Sequence, residues 1–153
     1  MKRPTLAARL ALAVVTLLLL ARPVAAGEQV PFHGSLAGTF DNSGFPIVSA
    51  NFTGNATHLG RFTLALPHTV TANGHFGTFV FIAANGDTVT GSFTGVVDSV
   101  DGLVLHVTEI ATIEGGTGRF ADASGGFTTS RSVHLDLLTS SGSFHGTISS
   151  PGK

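Results

Sequence analysis

Cysteine, tryptophan and tyrosine are absent from this 153-residue chain, and only 11% of its residues are charged. Without cysteine there is no disulfide scaffold, thiolate zinc site, iron–sulfur ligation, cysteine nucleophile or lipidated anchor. Without tyrosine and tryptophan the aromatic girdles of an outer-membrane barrel are missing. Sparse charge argues against a nucleic-acid partner, which needs clustered Lys and Arg to neutralise phosphates.

What is present starts with a secretory pattern. Lys2, Arg3 and Arg9 precede an apolar run from Leu10 to Ala21, and Val24, Ala25 and Ala26 supply small residues for a signal peptidase. A run of about a dozen residues fits a leader's hydrophobic region and is short of the ~20 a membrane span needs. Arg22 and Pro23 end it early, which disfavours an uncleaved anchor helix. The expected organisation is a signal peptide over 1–26 and one domain over 27–153, exported from the cytoplasm and with no stable membrane span after cleavage. Removing the leader takes four of the eight basic residues and none of the nine acidic ones, leaving a formal charge of −5. Arg61, Arg119, Arg131 and Lys153 are then scattered along the chain, so no basic patch forms.

The remaining residues alternate with period two. Phe32, Gly34, Leu36, Gly38 and Phe40 interleave with polar or small residues, as do Phe62, Leu64 and Leu66. Val89, Gly91, Phe93 and Gly95, and then Phe144, Gly146 and Ile148, repeat the pattern. One-sided alternation is the mark of half-buried strands, and no window carries helical spacing. Turn residues divide the domain into about eight strands. Asp41–Gly44 ends the first, Val48–Ala56 is the second, and the third starts near His58. The fourth covers Gly77–Ala83, Ser99–Gly102 closes the fifth, and Leu103–Ile113 is the sixth. Phe127–Leu138 is the seventh and Ser143–Ser149 the eighth. Asn85-Gly86 predicts a type I′ hairpin turn. Eight antiparallel strands in this length make a barrel or a two-sheet sandwich, and glycines inside the strands favour closure.

Four blocks carry a resemblance: Ala56–Thr63, Ala83–Gly91, Glu114–Gly125 and the closing Gly146–Ser149. In this order they are similar to the bacterial secreted proteins of the allene oxide cyclase-like barrel group, and Gly115–Ala121 also resembles a segment of plant dirigent proteins. The resemblance implies an eight-stranded antiparallel β-barrel with a central apolar cavity. In the plant relatives such a cavity holds an unstable small molecule and steers its cyclisation or coupling.

Candidate chemistry is thin. Gly115-Gly116-Thr117-Gly118 lacks the following Lys and long helix of a phosphate loop, so the reading is a tight loop with one helical turn whose Phe120 plugs the barrel. The alternative there is an anion held by Arg119 and the loop amides. The seven histidines include no His-x-His and no i, i+4 pair, so they read as structural or exposed, with a metal site assembled across strands as the alternative; no metal or cofactor is expected. There is no Gly-x-Ser-x-Gly elbow, and Asp98 and Asp101 read as turn residues. Glu109 stands out. It shares the odd face of its strand with Leu103, Leu105, Val107, Ala111 and Ile113, and an inward odd face places a carboxylate in an apolar interior, where burial raises its pKa. Arg131 alternates with Phe127, Thr129 and Val133, so an internal Glu–Arg pair is geometrically reasonable.

The expected function is binding of a small hydrophobic ligand inside the barrel, with Phe62, Phe79, Phe81, Phe93, Leu105, Glu109 and Arg131 around it. The alternative is a cyclase- or dirigent-type isomerase in which Glu109, His58 and Arg61 orient or polarise the substrate. A third reading is a filled barrel acting through its surface as a structural or interaction module. The first two require an internal pocket; the third has phenylalanines occupying it. Oligomerisation is left open.

Overall fold

The alternating segments become eight strands: β1 Gln29–Asp41, β2 Ile47–Ala56, β3 Gly60–Thr71, β4 Gly74–Ala83, β5 Thr88–Asp101, β6 Val104–Gly116, β7 Gly125–His134 and β8 Thr139–Ser149. The structure, a computed structural model, describes residues 27–149 and 151–152; the leader expected over 1–26 lies outside them. Each strand pairs antiparallel with its chain neighbour, and β1 closes on β8 from Gln29↔Ser149 to Thr39↔Thr139. The result is a closed barrel rather than a sandwich, and each of the eight strands has a partner on both sides.

One face of every strand looks inward, as period two requires. Phe32 and Leu36 on β1, Phe52 on β2, Phe62, Leu64 and Leu66 on β3, and Phe79 and Phe81 on β4 are all buried. Phe93, Ala111, Ile113, Phe127, Phe144 and Ile148 complete the inner wall on the remaining strands. Phe32, Phe62, Phe79, Phe81, Phe127 and Phe144 form one aromatic cluster. Phe62 meets Phe81 edge-on at 4.9 Å between centroids, and Phe79 meets Phe127 at 5.3 Å. Such edge-to-face pairs contribute roughly 0.5–1.5 kcal/mol each beyond area burial. This half of the lumen is filled.

The connections give the barrel two unlike ends. At one end lie the β2–β3, β4–β5 and β6–β7 connections, the start of β1 and the end of β8. There the Gly118–Phe120 segment makes a single 3-10 turn and inserts Phe120, 1% exposed, as the plug its loop predicted. Arg119 is engaged in closing this end: its Nε donates to Asp87 at 3.3 Å and its guanidinium also reaches the His58 carbonyl. The opposite end carries the β1–β2, β3–β4, β5–β6 and β7–β8 turns, and among the described residues nothing plugs it.

Two local expectations are corrected. The seventh strand stops at His134 rather than Leu138, because Leu135–Leu138 forms the β7–β8 turn with Leu138 at φ +52°. Its apolar residues imitate a strand while sitting on a rim, where Leu137 is 63% exposed. Asn85-Gly86 does join β4 to β5, but only Gly86 takes a positive φ, +90°. Ala83 N–H bonds to Asp87 O and Gly86 N–H to Ala83 O, the pattern of a three-residue loop with glycine in the left-handed position. Asn85 stays out of that region and uses its amide to hold Asp87, donating to the carboxylate and accepting from its N–H.

Candidate functional site

Above the aromatic cluster, on the side of the unplugged end, the inward positions turn polar. His75, Gly95, Glu109 and Thr129 lie in one register row across β4, β5, β6 and β7. Gly95 makes that row possible: a Cβ there would come within 2.5 Å of the His75 ring and 2.8 Å of the Glu109 side chain. Over this gap His75 Nε2 donates to Glu109 Oε1 at 2.9 Å. From β7, Arg131 grips the same carboxylate with two nitrogens, Nε to Oε2 at 3.0 Å and Nη2 to Oε1. Its Nη1 donates to Ser140 Oγ at 2.9 Å, and its guanidinium lies 5.3 Å from the Phe52 ring centroid. Glu109 is 3% and Arg131 7% exposed, so this is a buried, bidentate ion pair of the geometry that Arg provides best.

The expected upward shift of Glu109 is reversed. Burial pushes its pKa up, but the hydrogen bond from His75 and the charge and hydrogen bonds of Arg131 outweigh it and lower the value to about 2. Glu109 is therefore a fixed anion. His68, on β3, is pushed the other way: burial lowers its pKa, more than its hydrogen bond to the Leu66 carbonyl raises it. The His68 ring lies 5.4 Å from that of His75, and both rest edge-on against Phe93.

Two spaces flank these polar side chains. Beneath them, between the ion pair and Phe79, Phe81 and Phe127, is a void of about 10 Å³, the scale of a single water. Above them is a cup of about 190 Å³. Its wall is Phe40, Val48, Ala50, Val70, Val97, Leu105, Val107, Val133 and Leu135, with Phe45 and Asn42 at the lip; His68, His75 and Arg131 are the polar side chains at its floor. The rim continues the apolar character outward, since Phe45, Leu103 and Leu137 on the surrounding turns and Val100 at the end of β5 are each more than half exposed.

The residues singled out in the sequence fall into three places. Phe62, Phe79 and Phe81 are in the packed core, and Phe93 lies between core and floor. Leu105 and Arg131 line the cup, with Glu109 directly below. His58 and Arg61 are exposed near the plugged end, away from Glu109: His58 sits in the β2–β3 turn at φ +66° and its Nε2 bonds to the Pro31 carbonyl. His68 and His75 were missed as site residues. The signal for them was present, because extending the Phe62, Leu64, Leu66 alternation two and four residues reaches His68 and Val70, and running the Phe81, Phe79, Gly77 face backwards reaches His75. Among the described residues no group of three or more His, Asp or Glu is placed to hold a metal ion. Comparison of the chain with family models, curated proteins and solved structures finds no match.

Proposed function

We propose that this protein binds one small, mainly apolar molecule in the cup at the unplugged end of the barrel. The observation that carries the reading is the division of the lumen. Phenylalanines fill one half, while the other keeps about 190 Å³ of apolar-walled space over a polar floor. An apolar cavity of roughly 150 Å³ in another protein admits benzene, so this volume suits a molecule of about one substituted ring. A pocket with apolar walls and a few convergent polar groups is the usual design of a small-molecule site. The resemblance to the allene oxide cyclase-like group points the same way, since it implies a ligand held inside the barrel.

Titration with toluene followed by methyl NMR tests it. Shifts concentrated at Val97, Leu105, Val107 and Val133 are expected, and Leu105→Trp, which fills the cup, should weaken binding at least about tenfold while leaving the fold intact. Shifts scattered over the outer surface, or no saturation, would remove the reading and leave the filled-barrel alternative.

A second reading, proton-transfer chemistry of the isomerase kind, is favoured by one observation. A carboxylate orients the His75 ring beneath an apolar cup, the arrangement that positions an imidazole as a general base. Its probe is α-deuteration of cyclohexanone in D₂O: the α-proton passes to the His75 ring and a solvent deuteron returns to carbon. Exchange faster than buffer alone, and lost in His75→Gln, supports it; exchange at the buffer rate does not.

A further inference from the structure

The two histidines at the floor have their proton positions set by their partners. His68 Nδ1 lies 3.0 Å from the Leu66 carbonyl oxygen, and a carbonyl only accepts, so Nδ1 carries the hydrogen. His75 Nε2 lies 2.9 Å from Glu109 Oε1, and an ionised carboxylate also only accepts, so Nε2 carries the hydrogen. In each neutral ring the other nitrogen, Nε2 of His68 and Nδ1 of His75, is then a lone-pair acceptor. Neither of these nitrogens has a hydrogen-bond partner among the described residues, and no buried side-chain nitrogen or oxygen among them is left unpaired. Both therefore reach accessible space, and the cup is the space that His68 and His75 line together, His75 also bordering an outer groove with Thr94 and Ile110. The His75 side chain is only 9% exposed, as a floor position requires. The Arg131 cation at the floor is already engaged: it is shared between Glu109 and Ser140 and balances the carboxylate's charge. With that pair neutral overall, the polar atoms it leaves facing the cup from the floor are those of the two imidazole rings.

We infer that the cup selects an apolar molecule carrying a hydroxyl or N–H donor, read by the free nitrogens of His68 and His75, over an unsubstituted hydrocarbon or a carboxylate. This rests on the cup being the binding site and adds the polar group the ligand presents to the floor. Two acceptors side by side welcome a donor that either can take. They repel a carboxylate, which brings only lone pairs and a charge that must approach Glu109. A hydrocarbon leaves both nitrogens desolvated and unpaired, the costly case for buried polar groups.

Three probes of one shape separate these outcomes: para-cresol, toluene and para-toluate, titrated at neutral pH. The expected order has para-cresol about tenfold or more tighter than toluene and para-toluate weakest. His68→Leu, close to histidine in volume but without the lone pair, should shrink the cresol preference severalfold, weakening cresol and tightening toluene, which no longer desolvates that nitrogen. Imidazole nitrogen NMR on the unaltered protein gives a readout independent of any variant. One unprotonated nitrogen each on His68 and His75 is expected, and at least one resonance should move upfield when cresol donates to it. Equal affinity for cresol and toluene would overturn donor selection while the cup stands as a site, and tightest binding of para-toluate would assign the recognition to Arg131 instead. If none of the three binds, the cup is not a site and the inference falls with it.

Discussion

Two donors decide the behaviour of Glu109. Its depressed pKa makes folding stability depend on pH in one direction: the native state holds the carboxylate ionised down to about 2, whereas its ordinary value is 4.5. The stabilisation is complete above the ordinary value, because the unfolded chain then has an ionised carboxylate too, and it is lost progressively as pH falls toward 2. Urea midpoints recorded from pH 6 to pH 2 should fall through that window, and Glu109→Gln should flatten the fall. At neutral pH, Arg131→Met strands the carboxylate in an apolar interior and should cost about 3–5 kcal/mol, read from the same urea curves. An unchanged midpoint would mean water reaches Glu109 and the pair is ornamental to stability. Gly95→Ala tests the row itself. Its methyl meets both the His75 ring and Glu109, so a loss of about 1–3 kcal/mol and of the His75–Glu109 hydrogen bond is expected, the latter seen in the imidazole NMR. At this scale the sequence was half legible. Glu109 and Arg131 announced themselves as charges on apolar faces, because a charge interrupting a period-two run has few explanations. Alternation puts His75 on the inward face but names no partner for it, since its role depends on a glycine one strand away and cross-strand register is invisible to local pattern.

Among the elements, the strands were read more securely than the turns. Alternation of Phe32, Leu36 and Phe40, or of Phe62, Leu64 and Leu66, survives any error of a residue or two at the ends, so eight strands emerged with roughly their observed centres. Turns failed where apolar residues had another use. Leu135, Leu137 and Leu138 read as strand because burial is the common fate of leucine, yet here they stand on the rim of an apolar cup. The 3-10 turn at Gly118–Phe120 was legible for the opposite reason: a lone Phe after a run of glycines has to be buried by its neighbours, and the barrel end is what remains. Phe120 is 1% exposed and covers a core of aliphatic and aromatic side chains. Phe120→Ala should therefore cost about 3–5 kcal/mol in thermal or urea unfolding, the range for removing a buried ring without refilling its space. A loss below about 1 kcal/mol would show that the end is closed by the loop backbone and the Arg119–Asp87 pair rather than by the ring.

Closure of the whole molecule is what gives it a lumen to divide, and that closure depends on β1 meeting β8. The seam runs the full length of β8 and all of β1 but its last two residues, from Gln29↔Ser149 to Thr39↔Thr139, and β8 is also paired with β7 from Gly125↔Ile148 to His134↔Thr139. Every strand thus has two partners, and the first and last strands of the barrel are held like those in the middle. In a two-sheet sandwich β1 or β8 would be an edge, with half of its amides facing solvent and exchanging through local fraying. Amide hydrogen exchange distinguishes the two on the full protein: the paired amides of Phe32–Phe40 and Ser143–Ile148 should be protected to within about tenfold of those in Val80–Ile82 and Val89–Phe93, as one cooperative unit. Protection of the seam several orders of magnitude below that of the β4–β5 hairpin would mean the barrel opens there. An opening seam would also expose the Phe32–Phe144 contact, 5.1 Å between centroids, at the heart of the aromatic cluster. The cup depends on the same seam, because its wall draws Phe40 from β1 and Val133 from β7, and β8 lies between those two strands. Ligand in the cup should then slow exchange on β1 and β8 as well as on the strands it touches, since a molecule that binds only the closed barrel stabilises every hydrogen bond that closure requires.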